Sequence, residues 1–212
     1  MRGLLRHDLF VVAPDAWARL LAGRPDLDRV PHLDAWARSG WPVIVRRRHP
    51  GEAHDHLPAG LPLPPSAGKR RIGLAVPWPA AIPRPAVTLA AARDAAPAAW
   101  HPAIDAVLAL AAAHGLVPRV FGGLLWQALT GLPYLTAASD LDLLWPADAT
   151  RGFLDRLAAI AAGAPMRLDG EVVLPDGSGL NWRELREARP GGSVLAKGLD
   201  GAALVRAACL ES

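Results

Sequence analysis

The residues of this chain best suited to chemistry are two carboxylates one residue apart, Asp140 and Asp142, in Ser139-Asp140-Leu141-Asp142-Leu143-Leu144-Trp145. In a strand, side chains alternate between faces, so both acids share one face while Leu141 and Leu143 turn to the other and into a core. Two neighbouring carboxylates at the end of a buried strand repel each other and resist desolvation. Such a pair calls for a cation, most often a divalent metal.

The stretch upstream supplies a second element of a site. An apolar run, Val117 to Phe121, stops at Gly122-Gly123 and is followed by a helical pattern through Leu124, Leu125, Ala128 and Leu129 that ends at Gly131 and Pro133. A Gly-Gly pair alone marks a turn. Placed at a helix start, it lets phosphate oxygens approach backbone N–H groups closely. Ser139 is able to bond a phosphate or to orient Asp140, and orientation is the favoured reading.

Strand, Gly-Gly, helix, then Asp-x-Asp on the next strand resembles the catalytic signature of the nucleotidyltransferase superfamily. One departure is the longer interval between Gly123 and Asp140, filled by Leu132-Pro133-Tyr134-Leu135-Thr136-Ala137-Ala138. The combination FGGLLWQALTGLPYL…SDLDLLW, with a match over most of the chain, resembles the malonate decarboxylase holo-acyl-carrier-protein synthases, or phosphoribosyl-dephospho-CoA transferases. The resemblance implies that Asp140 and Asp142 hold Mg2+ (or Mn2+) and that Gly122 and Gly123 receive a triphosphate. It implies a donor, 2′-(5″-triphosphoribosyl)-3′-dephospho-CoA, and an acceptor, a serine of the apo acyl-carrier subunit of malonate decarboxylase, with pyrophosphate leaving by two-metal transfer. Members of the superfamily commonly add a third carboxylate from a neighbouring strand. In Met166–Leu174 that is Glu171, with Asp169 on the same face as the alternative and Glu184 behind both. Whether the third acid is a ligand or a base stays open.

Other elements must position these groups. The fold class expected is α/β (α+β): a nucleotidyltransferase-like mixed sheet with helices over residues 97–212, and a smaller N-terminal α/β domain over residues 1–90, joined between about Pro77 and Pro97. In the N-terminal part, a strand at Leu9–Val12, helices at Ala16–Leu21 and about Pro31–Arg38, and strands at Trp41–Arg46 and Ile72–Val76 are expected. Arg46-Arg47-Arg48 and Lys69-Arg70-Arg71 flank two of these strands. Arg46, Lys69 and Arg70 are candidate phosphate contacts on a cationic rim; solubilising charge at strand ends is the equal alternative. Residues 49–68, rich in proline, glycine and histidine, read as a long loop whose His49, His54 and His56 fit no standard zinc spacing. In the C-terminal part, helices are expected at Ala103–His114, around Phe153 to Ile160 and at Asp200–Cys209, with a last strand at Val194–Lys197. Arg183 is a further phosphate candidate or a structural ion-pair partner, and Trp126, Trp145 and Trp182 read as core aromatics.

Composition limits the alternatives. The 212 residues carry 51% hydrophobic and 20% charged residues with a net charge of +3, so a packed core is expected and global disorder is not. The single cysteine, Cys209, excludes an internal disulfide framework and suits a reducing compartment. No apolar run reaches the ~20 residues needed to span a bilayer, and Arg6, His7 and Asp8 interrupt any signal-peptide core. A soluble, cytoplasmic protein without membrane contact is expected. Three rival functions remain: a nucleotidyltransferase with another acceptor, a non-catalytic nucleic-acid-binding protein, and a degenerate transferase fold that only binds the carrier subunit, against which the intact Asp-x-Asp argues. The second is disfavoured because positive charge forms no long tract and no nucleic-acid motif is recognisable.

Overall fold

The computed structural model describes residues 4–189 and 191–207. Two compact units divide the chain: residues up to Ala86 together with Leu132–Tyr134, and the remainder from Val87 onward.

The first unit is built from β1 (Leu9–Val12), α1 (Pro14–Ala22), α2 (Leu33–Trp36), β2 (Val43–Val45), β3 (His56–Pro62), β4 (Arg71–Pro77) and β5 (Ala81–Arg84). Its five strands form an antiparallel sheet in the order β4-β3-β2-β1-β5. Along β4, Ile72, Leu74 and Val76 are buried while Arg71, Gly73, Ala75 and Pro77 are exposed, the alternation of a one-sided sheet. Helix α1 starts on Pro14, whose fixed φ and missing N–H suit a first helical position. The indole of Trp17 donates to Leu33 O at 2.7 Å and that of Trp36 to Pro42 O at 3.0 Å, so each buried N–H is satisfied.

One expectation fails here. Part of the stretch read as a loop, residues 49–68, is the seven-residue strand β3, paired along its length with β4. Proline argues against an inner strand because it cannot donate to a ladder. Pro58 takes part through its carbonyl, which accepts from Arg46 N at 2.9 Å, and burial of Leu57, Ala59 and Leu61 supplies the apolar surface.

The second unit contains α3 (Leu89–Ala92), α4 (His101–Ala113), β6 (Arg119–Phe121), α5 (Gly122–Thr130), β7 (Leu141–Pro146), α6 (Arg151–Gly163), β8 (Leu168–Val173), β9 (Gly179–Asn181), α7 (Trp182–Glu187), β10 (Ser193–Lys197) and β11 (Ala202–Arg206). A six-stranded mixed sheet runs β11-β10-β9-β8-β7-β6, and β7 with β8 is its parallel pair. Helix α6 is that pair's crossover. Thr150 caps it, its hydroxyl accepting from Phe153 N at 3.3 Å, and Phe153, Leu154 and Leu157 are buried on its inner face. Helix α4 packs on α6, and α6 on α7. Trp126, Trp145 and Trp182 are all buried.

The expected last helix, Asp200–Cys209, is a strand instead over Ala202–Arg206. Gly198 N donates to Gly201 O at 2.8 Å, turning the chain so that β11 pairs antiparallel with β10. Ladder pairing overrides the helix propensity of Ala202 and Ala203. Cys209 lies outside the described residues.

Candidate active site

Strand β6 carries the chain to Gly122, where it turns into α5. Gly122 has φ +64°, and a Cβ placed on it would fall 1.8 Å from Oδ2 of Asp142. Only glycine combines that backbone angle with that approach. The N-cap of α5 is Phe121, whose side chain offers no acceptor, so the helix starts at Gly122-Gly123 without a side-chain cap. At its far end Gly131, at φ 71°, stops the helix in the left-handed conformation.

The chain returns on β7, with Phe121 opposite Asp142 in the β6–β7 ladder. Asp140 precedes the strand, and Leu141 N donates to Arg167 O at 2.8 Å, which sets the parallel register. Ser139 closes the turn before it: its hydroxyl accepts from Thr136 N at 2.9 Å and lies 3.3 Å from the Thr136 hydroxyl.

The parallel register places Asp142 beside Asp169 and Leu144 beside Glu171. Asp140, Asp142 and Asp169, each half-buried, bring carboxylate oxygens within 4.8 Å of one another. Glu171 stands outside this group. It is buried, at 7% exposure, and lies two residues further along β8, about 7 Å at the rise of a strand. The acid that register brings to the pair is therefore Asp169, the alternative third acid. Close approach of the two strands depends on Gly170, at φ +146°, where a Cβ would fall 2.0 Å from Leu143 O.

Asp169 is held by three donors. Its Oδ1 accepts from Gly170 N at 2.8 Å and from Asn181 Nδ2 at 3.1 Å, and Oδ2 from Arg167 Nη2 at 3.1 Å. Asn181 is not among the site residues expected from the sequence. Its position in Asn181-Trp182-Arg183-Glu184 carries the sequence signal of a helix cap, and its Oδ1 does accept from Arg183 N and Glu184 N.

Three hard oxygen donors with mutual repulsion, beside a glycine whose missing side chain makes room for Asp142, make a set that fits a hard metal cation.

The remaining candidates are placed as follows. Arg183 donates from Nη2 to Leu168 O at 2.8 Å, and its guanidinium carbon stands 4.3 Å from the Trp182 ring centroid. Arg46 belongs to the first unit, where it forms a bidentate pair with Glu52 and donates to Ala59 O at 3.0 Å. The Arg46 guanidinium beside it holds the Glu52 carboxyl down to about 2. Lys69 and Arg70 are exposed in the turn between β3 and β4.

Comparison with known proteins gives these features a family. The model of the phosphoribosyl-dephospho-CoA transferase MdcG C-terminal domain matches residues 88–208, and that of the MdcG N-terminal domain matches residues 5–87. This chain belongs to the phosphoribosyl-dephospho-CoA transferase family. A relative of that name from Bradyrhizobium diazoefficiens is 46% identical over 186 residues, covering 85% of this chain and 81% of the relative. One from Xanthomonas campestris pv. campestris is 40% identical over 208 residues, 94% of this chain and 93% of its own. A third, from Xanthomonas axonopodis pv. citri, is 41% identical over 185 residues, 84% of each. No solved structure matches the chain. Among the described residues, no helix is long and apolar enough to cross a membrane.

Proposed function

We propose that this protein transfers the phosphoribosyl-dephospho-CoA group from 2′-(5″-triphosphoribosyl)-3′-dephospho-CoA to a serine of the apo acyl-carrier subunit of malonate decarboxylase. Relatives at 40–46% identity bear the name of a phosphoribosyl-dephospho-CoA transferase, which supports the transferred group. The observation that carries the chemistry is the convergence of Asp140, Asp142 and Asp169 beside Gly122.

In this transfer the carrier serine Oγ bonds to the α-phosphorus, the bond from that phosphorus to the bridging oxygen breaks, and pyrophosphate departs with the electron pair. The hydroxyl proton passes to a carboxylate. Asp140, Asp142 and Asp169 are the proposed ligands of two magnesium or manganese ions. Bound there, such ions neutralise charge on the triphosphate and ease deprotonation of the attacking hydroxyl. Gly122 and Gly123 leave the start of α5 open to phosphate oxygens. Gly122 also keeps Asp142 in place, because any larger residue displaces it. Ser139 orients Asp140 by fixing the turn that precedes it. A cytoplasmic location fits this chemistry.

The test is mass spectrometry of the apo carrier after incubation with the protein, magnesium and the triphosphoribosyl donor. A mass gain equal to the phosphoribosyl-dephospho-CoA group, lost in Asp142→Asn, is expected. No gain with folded protein rejects the donor–acceptor pair; a gain undiminished in Asp142→Asn rejects the site.

A further inference from the structure

We propose that Asn181 is a positioning residue that holds Asp169 in the geometry the metal requires. This rests on the reading of Asp140, Asp142 and Asp169 as metal ligands and assigns a role to a residue outside that set.

The Asn181 side chain is used at both ends. Its Oδ1 accepts from Arg183 N at 3.0 Å and Glu184 N at 3.3 Å, capping α7, and its Nδ2 donates to Asp169 Oδ1 at 3.1 Å. The two ends are not interchangeable. A flipped amide would set a carbonyl against the Asp169 carboxylate and amide hydrogens against backbone N–H groups. The cap therefore fixes which end faces Asp169.

The element bearing Asn181 is itself anchored by burial and hydrogen bonds. Trp182 and Leu185 anchor α7 at 0% exposure, and its C-terminal carbonyls are held by Arg151, which donates to Arg186 O at 2.6 Å and Ala188 O at 2.7 Å. Strand β9 fixes the other side, with Asn181 opposite Glu171 in the ladder. Oδ1 of Asp169 thus takes both the Asn181 amide and Gly170 N. Its Oδ2 accepts from Arg167 Nη2, on a side chain 62% exposed, and Asp169 is one of the three acids whose carboxylate oxygens lie within 4.8 Å of one another. Hydrogen-bonded partners of metal ligands act this way, fixing the carboxylate's rotamer before the ion arrives.

Two variants separate positioning from capping. Asn181→Ser keeps a capping oxygen and loses the amide donor; Asn181→Ala loses both. Mn2+ binding is read by electron paramagnetic resonance of the free ion, with Asp140→Asn as the control for site occupancy, and thermal midpoints are read without metal. The expected result is that Ala lowers the midpoint, Ser restores it, and both weaken Mn2+ binding by roughly 10-fold or more. If Ser restores Mn2+ affinity together with the midpoint, Asn181 only caps α7 and the proposal is overturned. If the wild-type protein binds no Mn2+, or Asp140→Asn binds as tightly as wild type, the ligand reading itself fails. That failure shows in the wild-type and Asp140→Asn titrations, apart from either Asn181 variant.

Discussion

A Cβ on Gly122 would stand 1.8 Å from Oδ2 of Asp142, so the turn into α5 and the position of that carboxylate are one structural fact. Gly122→Ala must either move Asp142 or distort the backbone, and the left-handed conformation alone costs an alanine about 1 kcal/mol or more. Misplacement of a reacting group by an ångström costs on the order of 10²-fold in rate. Transfer by Gly122→Ala is expected to fall by at least ~100-fold while circular dichroism shows a folded protein. Wild-type turnover in this variant would mean that Asp142 has no part in the reaction.

Asp140→Asn, Asp142→Asn and Asp169→Asn are each expected to reduce transfer by about 10³-fold or more, since each removes an anionic ligand for the cations that would neutralise the triphosphate. Glu171→Gln makes the informative contrast. Glu171 lies outside the carboxylate group, and its substitution should leave Mn2+ affinity close to wild type. Parallel Mn2+ titrations decide which acid is the third ligand; a larger loss in Glu171→Gln than in Asp169→Asn would reverse the assignment.

Gly170→Ala tests the sheet rather than the chemistry. The new Cβ would meet Leu143 O at 2.0 Å, a backbone atom that cannot turn aside, at a φ of +146° open essentially to glycine. Destabilisation of about 3 kcal/mol is expected, with a midpoint lower by roughly 6–12 °C for a chain of this size. Thermal and urea denaturation measure it, and an unchanged midpoint would show that β7 and β8 separate at little cost.

The first unit carries a pH signature. The hydrogen bonds from Arg46, aided by His49 N, hold Glu52 at about 2, below its ordinary 4.5. A depressed folded value stabilises the protein above the unfolded pKa, and the contribution is lost as pH falls from about 4.5 through about 2. Glu52→Gln should flatten the acid limb of the stability profile in that window and leave the slope near neutrality unchanged. Acid titration followed by circular dichroism would show it; an identical acid limb would mean the pair adds nothing beyond what solvent screens.

How much of this was legible follows from the range of each interaction. The turn at Gly122-Gly123, the helix after it and the closeness of Asp140 to Asp142 were legible because a turn, a helix start and a short spacing are all local. The strand containing Asp169 and Glu171 was legible too, but the choice between them was not. It depends on the register of β8 against β7, fixed by contacts such as Leu141 N to Arg167 O across the crossover. The cap at Asn181 had a four-residue signal; the reach of its amide to Asp169 had none. Strand β3 was hidden by its prolines and β11 by its alanines. Local propensity pointed away from both, and only ladder partners far along the chain reversed it.

The long interval between Gly123 and Asp140 has a use. Its Leu132–Tyr134 segment belongs to the first unit, where the Tyr134 hydroxyl, pushed up to about 12 by burial, donates to Pro62 O at 3.0 Å. The polypeptide therefore passes between the units three times, at 86/87, 131/132 and 134/135, although the family models divide it once. A fragment beginning at Val87 would sever one junction and keep two stubs of a loop whose tyrosine has lost its acceptor, and its complement would lack three residues of its own fabric. Dissection of this protein into halves is better attempted by co-expressing both pieces than by purifying either one.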